Sequence, residues 1–216
     1  MGKLRVQRAM QQHGLRARGK RRFRVVTTDS NHALPIAPNL LARNFTVSAP
    51  NLVWAGDMTY IPTEQGWLYL AVVLDLFSRR IVGWSMGETI TAQLACSAFD
   101  MAWQQRMPGN GLIFHSDRGS QYASSRYAEL LAGHGIKASM SRKGNCWDNA
   151  CSETLFGSLK VERLHGEQFN DHREGKDVVL DWLLWYNRSR MHSTLNYLSP
   201  AQFEHQAMAH QQALAA

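Results

Sequence analysis

The sequence predicts an α/β fold: a mixed five-stranded sheet flanked by helices, preceded by a basic N-terminal arm. Two patterns carry that reading. Between residues 52 and 86, three apolar or alternating runs of strand length follow one another with only short turns between them. Beyond residue 90, segments of helical length alternate with short strands. Consecutive strands on short connections pair antiparallel, and the later alternation adds helices against the sheet.

Taken in order, "RVQRAMQQHGLRA" reads as a short helix with Gly14 as its C-terminal cap. Residues 18 to about 50 are basic, then rich in Asn, Pro and Ala without steady periodicity, which reads as a linker with at most one short turn. "LVWAGDMTYI" (52–61) is the first strand and "PTEQG" a turn. "WLYLAVVL" (67–74) is the second strand, "DLFSRR" another turn, and "IVGWSM" (81–86) the third strand. A helix over 90–106 starts at Thr91 and is ended by "MPGNG". "LIFHS" (112–116) is a fourth strand, a helix follows near 122–132, and "GIKAS" (135–139) is the fifth strand. "GNCWDNACSETLFGSLK" (144–160) and "GKDVVLDWLLWYNRSR" (175–190) are helical. The last helix begins at Ser199, with Pro200 at its first position and Gln202 completing a capping box. The chain divides into an arm and linker, 1–45, and a catalytic-type core with C-terminal helices, 46–216.

Composition narrows the class. The apolar fraction of 44% and seven tryptophans indicate a folded chain. Three cysteines without a CxxC pair make no disulfide framework and suit a reduced, cytoplasmic protein. The N-terminus lacks the apolar stretch of a secretory signal, and the longest apolar run is far too short to cross a bilayer, so no membrane role is indicated. Nine of the 24 Lys and Arg precede the first acid, Asp29, leaving 15 cations against 17 acids in the remainder. The net charge of +7 therefore belongs to one arm. A cationic arm neutralises phosphates and gives salt-sensitive, sequence-independent affinity for nucleic acid, with Arg18, Lys20, Arg21 and Arg22 as its candidate contacts.

Three acids stand out. Asp57 lies mid-strand on the face shared by Val53, Ala55, Thr59 and Ile61, where a lone ionised carboxylate is costly unless paired or bound to a cation. Asp117 ends the "LIFHS" strand. Glu153 lies on a helix whose core ridge is Trp147, Cys151, Leu155 and Leu159; it shares another stripe with Asn149 and Lys160. Alone, Glu153 reads as an ordinary solvated helix acid. Together, carboxylates on a strand, a strand end and a helix can converge to hold two Mg²⁺ ions, which serve phosphoryl transfer. Lys160, two turns beyond Glu153, can meet a phosphate.

"VWAGDMTYI", "HSDRGSQY" and "NACSETLFGSLK" resemble the three catalytic blocks of D-D-E transposases and retroviral-type integrases, and 35 residues separate Asp117 from Glu153, the interval of that family. "GWLYLAVVLDLFSRRIVGW" and "YNRSRMHSTLNYLSPAQF" are similar, more narrowly, to the second-frame product of IS-three family bacterial insertion sequences. The likeness covers about residues 35 to 205. It implies an RNase H-like fold with Asp57, Asp117 and Glu153 as the catalytic and metal-binding triad for Mg²⁺ or Mn²⁺, two ions in all. The implied reaction is nicking of element ends by water, then attack of the freed 3′-hydroxyl on another phosphodiester. The implied partners are insertion-sequence ends, target DNA, further copies of the chain on DNA and a first-frame product, in the bacterial cytoplasm at the nucleoid. The alternative is a truncated, non-catalytic DNA-binding or regulatory product of the same element; an RNase H or junction resolvase is opposed by "YNRSRMHSTLNYLSP".

Other residues read more plainly. Asp75 forms a turn, and Asp148 suits a helix start as a cap. Cys146 and Cys151 point in different directions on a helix and do not suggest zinc. His115 should face away from Asp117 in a structural or supporting role. Gln121 and Tyr122, Arg142 and Lys143, and Arg188 and Arg190 with His192 are further candidates for contact with DNA.

Overall fold

The computed structural model describes residues 3–15, 32–143 and 146–215. Helix α1 (Lys3–Gln12) is exposed along nearly its whole length and is closed by Gly14 at φ +66°. Arg18, Lys20, Arg21 and Arg22 lie outside the described residues.

Strands β1 (Val53–Thr63), β2 (Gly66–Asp75) and β3 (Arg80–Gly87) form an antiparallel meander. Strands β4 (Ile113–Ser116) and β5 (Lys137–Met140) then add in parallel beside β1, giving the order β3-β2-β1-β4-β5. The mixed sheet read from the sequence is therefore the one observed, with the strands displaced by a residue or two. β2 lies inside the sheet with both faces covered, which is why its apolar residues run nearly unbroken.

Helices α2 (Ala92–Arg106) and α3 (Ser125–Gly133) cover one face, packing Phe99, Ala102, Tyr127 and Leu131 against Trp54, Val73 and Phe114. Thr91 caps α2 as expected, its hydroxyl accepting from the Leu94 N–H. α2 lies unusually close to β3 because Gly83 has no side chain: a Cβ there would stand 2.2 Å from the Ala98 carbonyl oxygen.

The other face carries α4 (Ala150–Leu159) and α5 (His172–Arg188), which bury Leu155, Phe156, Leu159, Val179, Trp182 and Leu183 on Ala55, Leu70, Val72 and Leu74. The segment ahead of α4, Cys146–Asn149, is a 3₁₀ helix. Its three residues per turn break the four-residue ridge expected from the sequence: Trp147 is 69% exposed, while Leu155 and Leu159 are buried. A π-helical turn, Lys160–Leu164, follows α4. Helix α6 (Pro200–Ala215) starts with the expected capping box, the Gln202 N–H donating to Ser199 Oγ and the Ser199 N–H to Gln202 Oε1.

Residues 32–45 run as a strap over this frame. Leu41 is buried, the Leu40 N–H donates to Ser139 Oγ at 2.9 Å, and His32 Nε2 lies 2.9 Å from the Arg118 carbonyl oxygen. Among the described residues, no helix is long and apolar enough to cross a membrane.

Candidate active site

β1 and β4 run parallel with Ala55 opposite His115 and Gly56 opposite Ser116. Asp57 and Asp117 are the next residue along each strand, so the register itself makes them neighbours; adjacent strands lie about 4.8 Å apart. β4 ends there and the chain turns away, whereas β1 continues beside β2 with Asp57 opposite Val72. Gly56 permits this arrangement, since a Cβ on it would overlap the Phe114 ring at 2.4 Å. The turn after β4 is held by Asp117 itself, whose Oδ1 accepts the Gly119 N–H at 2.9 Å. Glu153 comes to the same region from α4, which packs across β1 on the Asp57 face. It lies in the first turn of that helix and is exposed.

The electrostatics show how these groups meet. Burial holds the Asp57 carboxyl well above the usual carboxylate range, the charge of Asp117 pushes it further, and Glu153 adds to the same effect. Two groups pull the other way: the Met58 N–H, donating to Asp57 Oδ1 at 2.7 Å, and the Lys160 ammonium. Lys160 is half-buried at the start of the π-turn, its Nζ 4.5 Å from the centre of the Tyr60 ring. Burial lowers its pKa and the Asp57 charge partly restores it. Among the described residues, no three His, Cys, Asp or Glu side chains stand close enough to form a finished metal site. Asp57 and Asp117 are the aligned pair, and Glu153 is the third acid within electrostatic reach of Asp57.

The remaining candidates divide by what already holds them. His115 is fully buried between Ser139 Oγ (2.8 Å) and Ser141 Oγ (3.2 Å), and burial lowers its pKa to about 4. The structural role is the expected one, but the orientation is not, because residues two apart on a strand share a face and His115 pairs with Ala55 on the Asp57 side of the sheet. Tyr122, expected along a DNA path, is instead a core residue, 4% exposed and edge-on to Tyr127 at 5.2 Å. It precedes α3 rather than riding on it, and the turn at Gly119 folds it inward, the Gly119 carbonyl accepting its N–H. Gln121 is half-buried, whereas Lys143 and Arg188 are exposed. Arg190 grips Glu162 through Nε and Nη2, the shortest contact being 2.6 Å, and also donates to Ser158 Oγ. His192 stands edge-on to Tyr186 in the same corner. Arg142 is tied to Asp148 through three nitrogens.

Asp148 corrects the sequence reading most. It does not cap α4: it is fully buried and accepts from Asn39, Arg43 and Arg142. Nothing local in "GNCWDNA" announces this, because Asn39 and Arg43 lie more than 100 residues away. Asp75 does form the expected turn, accepting the Phe77 N–H, but it also joins a buried ion network. Cys151 receives a hydrogen bond from Arg79 at 2.9 Å and belongs to no group of three potential metal ligands among the described residues.

Comparison with known proteins agrees with this fold. Residues 47–146 and 134–200 each match a family described as Integrase core domain. The chain is 48% identical over 206 residues to Transposase InsF for insertion sequence IS3A of Escherichia coli (strain K12), covering 94% of this chain and 71% of the relative. It is 47% identical over 204 residues to the Insertion element IS600 uncharacterized 31 kDa protein of Shigella sonnei, covering 94% and 75%. Among solved structures, the simian T-cell lymphotropic virus intasome in complex with PP2A regulatory subunit B56 gamma superposes with a TM-score of 0.62 at 18% identity, over 92% of this chain and 70% of that one. The catalytic core domain of BIV integrase gives 0.56 at 17% identity, over 75% and 99%. The HTLV-2 integrase catalytic core domain in complex with magnesium gives 0.50 at 20% identity, over 73% and 97%. These structural likenesses establish the RNase H-like integrase fold.

Proposed function

The chain belongs to the IS-three family of insertion-sequence transposases, proteins of DNA transposition built on the integrase core domain, and from that premise we propose that Asp57, Asp117 and Glu153 are its D-D-E triad. The observation that supports this is the parallel register of β1 and β4, which leads into Asp57 and Asp117 as neighbours, with Glu153 adding a third negative charge and Lys160 an opposing cation. Such a donor set fits Mg²⁺ or Mn²⁺: all oxygen, hard, and raised in energy by its own crowding. One of the structural neighbours is itself a complex with magnesium.

We infer that Asp57 and Asp117 together, with Glu153, would hold two such ions. Bound there, they would supply Lewis-acid stabilisation to the attacking and departing oxygens of phosphoryl transfer. The chain's own residues do the rest. Lys160, kept half-buried against Tyr60, presents a cation to a phosphate beside Asp57. Lys143, Arg188 and Gln121 offer exposed or half-exposed donors for the DNA backbone, and Arg142 adds the outer part of its guanidinium. Arg190 would act by holding Glu162 rather than by touching DNA. The reaction read from this site is nicking of element ends by water followed by strand transfer, on DNA, by more than one copy of the chain, with a first-frame product as a further partner. In the same reading residues 1–45 serve as the DNA-holding arm and 46–216 as the catalytic core.

The test is a cleavage and joining assay on labelled element-end DNA with Mg²⁺ or Mn²⁺. Asp57→Asn, Asp117→Asn and Glu153→Gln should each lower cleavage by about 10³-fold or more while DNA affinity stays within about threefold. Wild-type rates in all three variants would overturn the triad. A wild-type chain that binds DNA yet yields no metal-dependent product would instead favour the non-catalytic reading.

A further inference from the structure

The Asp148 carboxylate has no exposed surface yet accepts five hydrogen bonds. They come from Asn39 Nδ2 (3.0 Å), Arg43 Nε (2.9 Å), and the Arg142 backbone N–H (2.9 Å), Nε (2.9 Å) and Nη2 (2.8 Å). Two guanidinium groups, 45% and 54% exposed, thus converge on one buried charge. A carboxylate so placed stays ionised only because it is paired, and pairing, led by Arg142, holds its pKa well below the usual range.

What Asp148 anchors is the start of α4. Asn149, at the N-cap position, makes no side-chain cap bond, and its Oδ1 is buried without a partner. The helix therefore lacks the local device that ordinarily fixes a first turn. Asp148, one residue earlier, is the point at which that turn is tied to the rest of the molecule: to the strap through Asn39 and Arg43, and to the end of β5 through Arg142. Glu153 lies in that first turn. The same strap reaches the Asp117 loop, where His32 contacts the Arg118 carbonyl and Arg118 Nε donates to the Ser141 carbonyl at 2.5 Å.

We propose that Asp148, clamped by Asn39, Arg43 and Arg142, is a positioning residue that aims the Glu153 turn of α4 at the Asp57–Asp117 pair, with the 32–45 strap as one jaw of the clamp. The proposal rests on the triad reading above. It makes Arg43, outside the resembling motifs, part of the catalytic apparatus at one remove.

The experiment compares the full chain with Asp148→Asn, Arg43→Gln and Arg43→Lys. Cleavage is followed at saturating element-end DNA across an Mg²⁺ titration, and amide hydrogen exchange is followed without metal. Asp148→Asn should lower the maximal cleavage rate about tenfold or more and raise the half-saturating Mg²⁺ concentration several-fold, with DNA affinity changed by less than about twofold. Exchange at residues 150–154 should accelerate while β1 and β4 stay protected. Arg43→Gln should move the rate, the Mg²⁺ requirement and the exchange in the same direction by less, and Arg43→Lys should recover part of each. If Asp148→Asn does not fold, Arg43→Gln carries the test. Unchanged rate and Mg²⁺ requirement in a folded variant would overturn the proposal, as would exchange that accelerates evenly through the sheet. If the wild-type chain does not cleave, the exchange pattern still decides: no local change at 150–154 sinks the clamp independently of the triad.

Discussion

Asp57, half-buried on β1, and Asp75, fully buried at the end of β2, are acids of one sheet, and their surroundings are opposite. Asp75 is fully buried, but the backbone N–H groups of Asn51 and Phe77 donate to it and Arg106 stands at 3.4 Å. Arg106 also grips Glu204 of α6 at 2.6 Å, and Arg80 and Ser78 complete the set around that second buried acid. Burial raises Asp75 as it raises Asp57, yet Asn51, Phe77 and Arg106 pull it back and Glu204 is the neighbour that pushes it up. Around Asp57 the balance is reversed, with two further carboxylates against one N–H and one lysine. A buried acid matched by arginines closes a fold; a half-buried acid crowded by acids leaves room for a cation from outside.

The contrast can be broken at the matched end first. Arg106→Met strands Asp75 and Glu204 without their shared cation and should cost about 3–5 kcal/mol in urea unfolding, lowering the melting temperature by about 10 °C or more. A loss below about 1 kcal/mol would mean the network does not brace α6.

At the unmatched end the sign should invert. Asp57 has a folded-state pKa raised above its usual 3.8, so its contribution is fully present below that value and is lost as pH rises through the raised one. Asp57→Asn should therefore stabilise the metal-free protein at pH 7 and flatten this part of the pH dependence. Mg²⁺ should raise the melting temperature of the wild type and not of the variant. Destabilisation by Asp57→Asn without metal would erase the contrast.

The smallest effect belongs to a corner outside both groups. Burial, then the Arg190 charge, lowers the His192 pKa to about 4, below the ordinary 6.5. Its contribution is therefore present above pH 6.5 and lost as pH falls towards 4. His192→Gln should remove about 1–2 kcal/mol of acid sensitivity in that window, after allowance for solvent screening of a half-buried group. Identical acid melts for both proteins would remove His192 from the account.

Much of this was legible in the chain. The meander showed in apolar runs with short turns, Thr91 and the Ser199–Gln202 box marked helix starts, and Asp57 stood out as an acid on a buried strand. Each signal is local, resting on alternation or on bonds spanning three residues. Local rules also produced the errors. Helical spacing put Trp147 in the core because it assumed a hundred degrees per residue where the chain takes a tighter 3₁₀ turn. Tyr122 read as a DNA contact because its burial depends on Phe114 and Tyr127. Arg142 and Arg190 read as free cations because their partners, Asp148 and Glu162, lie six and 28 residues away, beyond the three- and four-residue spacings of helical pairs.

The sequence by itself determined the elements, their order and the acids worth attention, since periodicity and capping act within about one helical turn or one strand pair. Only the tertiary structure decided which acids are neutralised. Apart from Arg142, six residues from Asp148, the cations that settle the matter sit far along the chain, 105 residues from Asp148 for Arg43, and 98 and 124 residues from Glu204 for Arg106 and Arg80. Charge compensation is a property of distance in space, and no spacing along the chain encodes it.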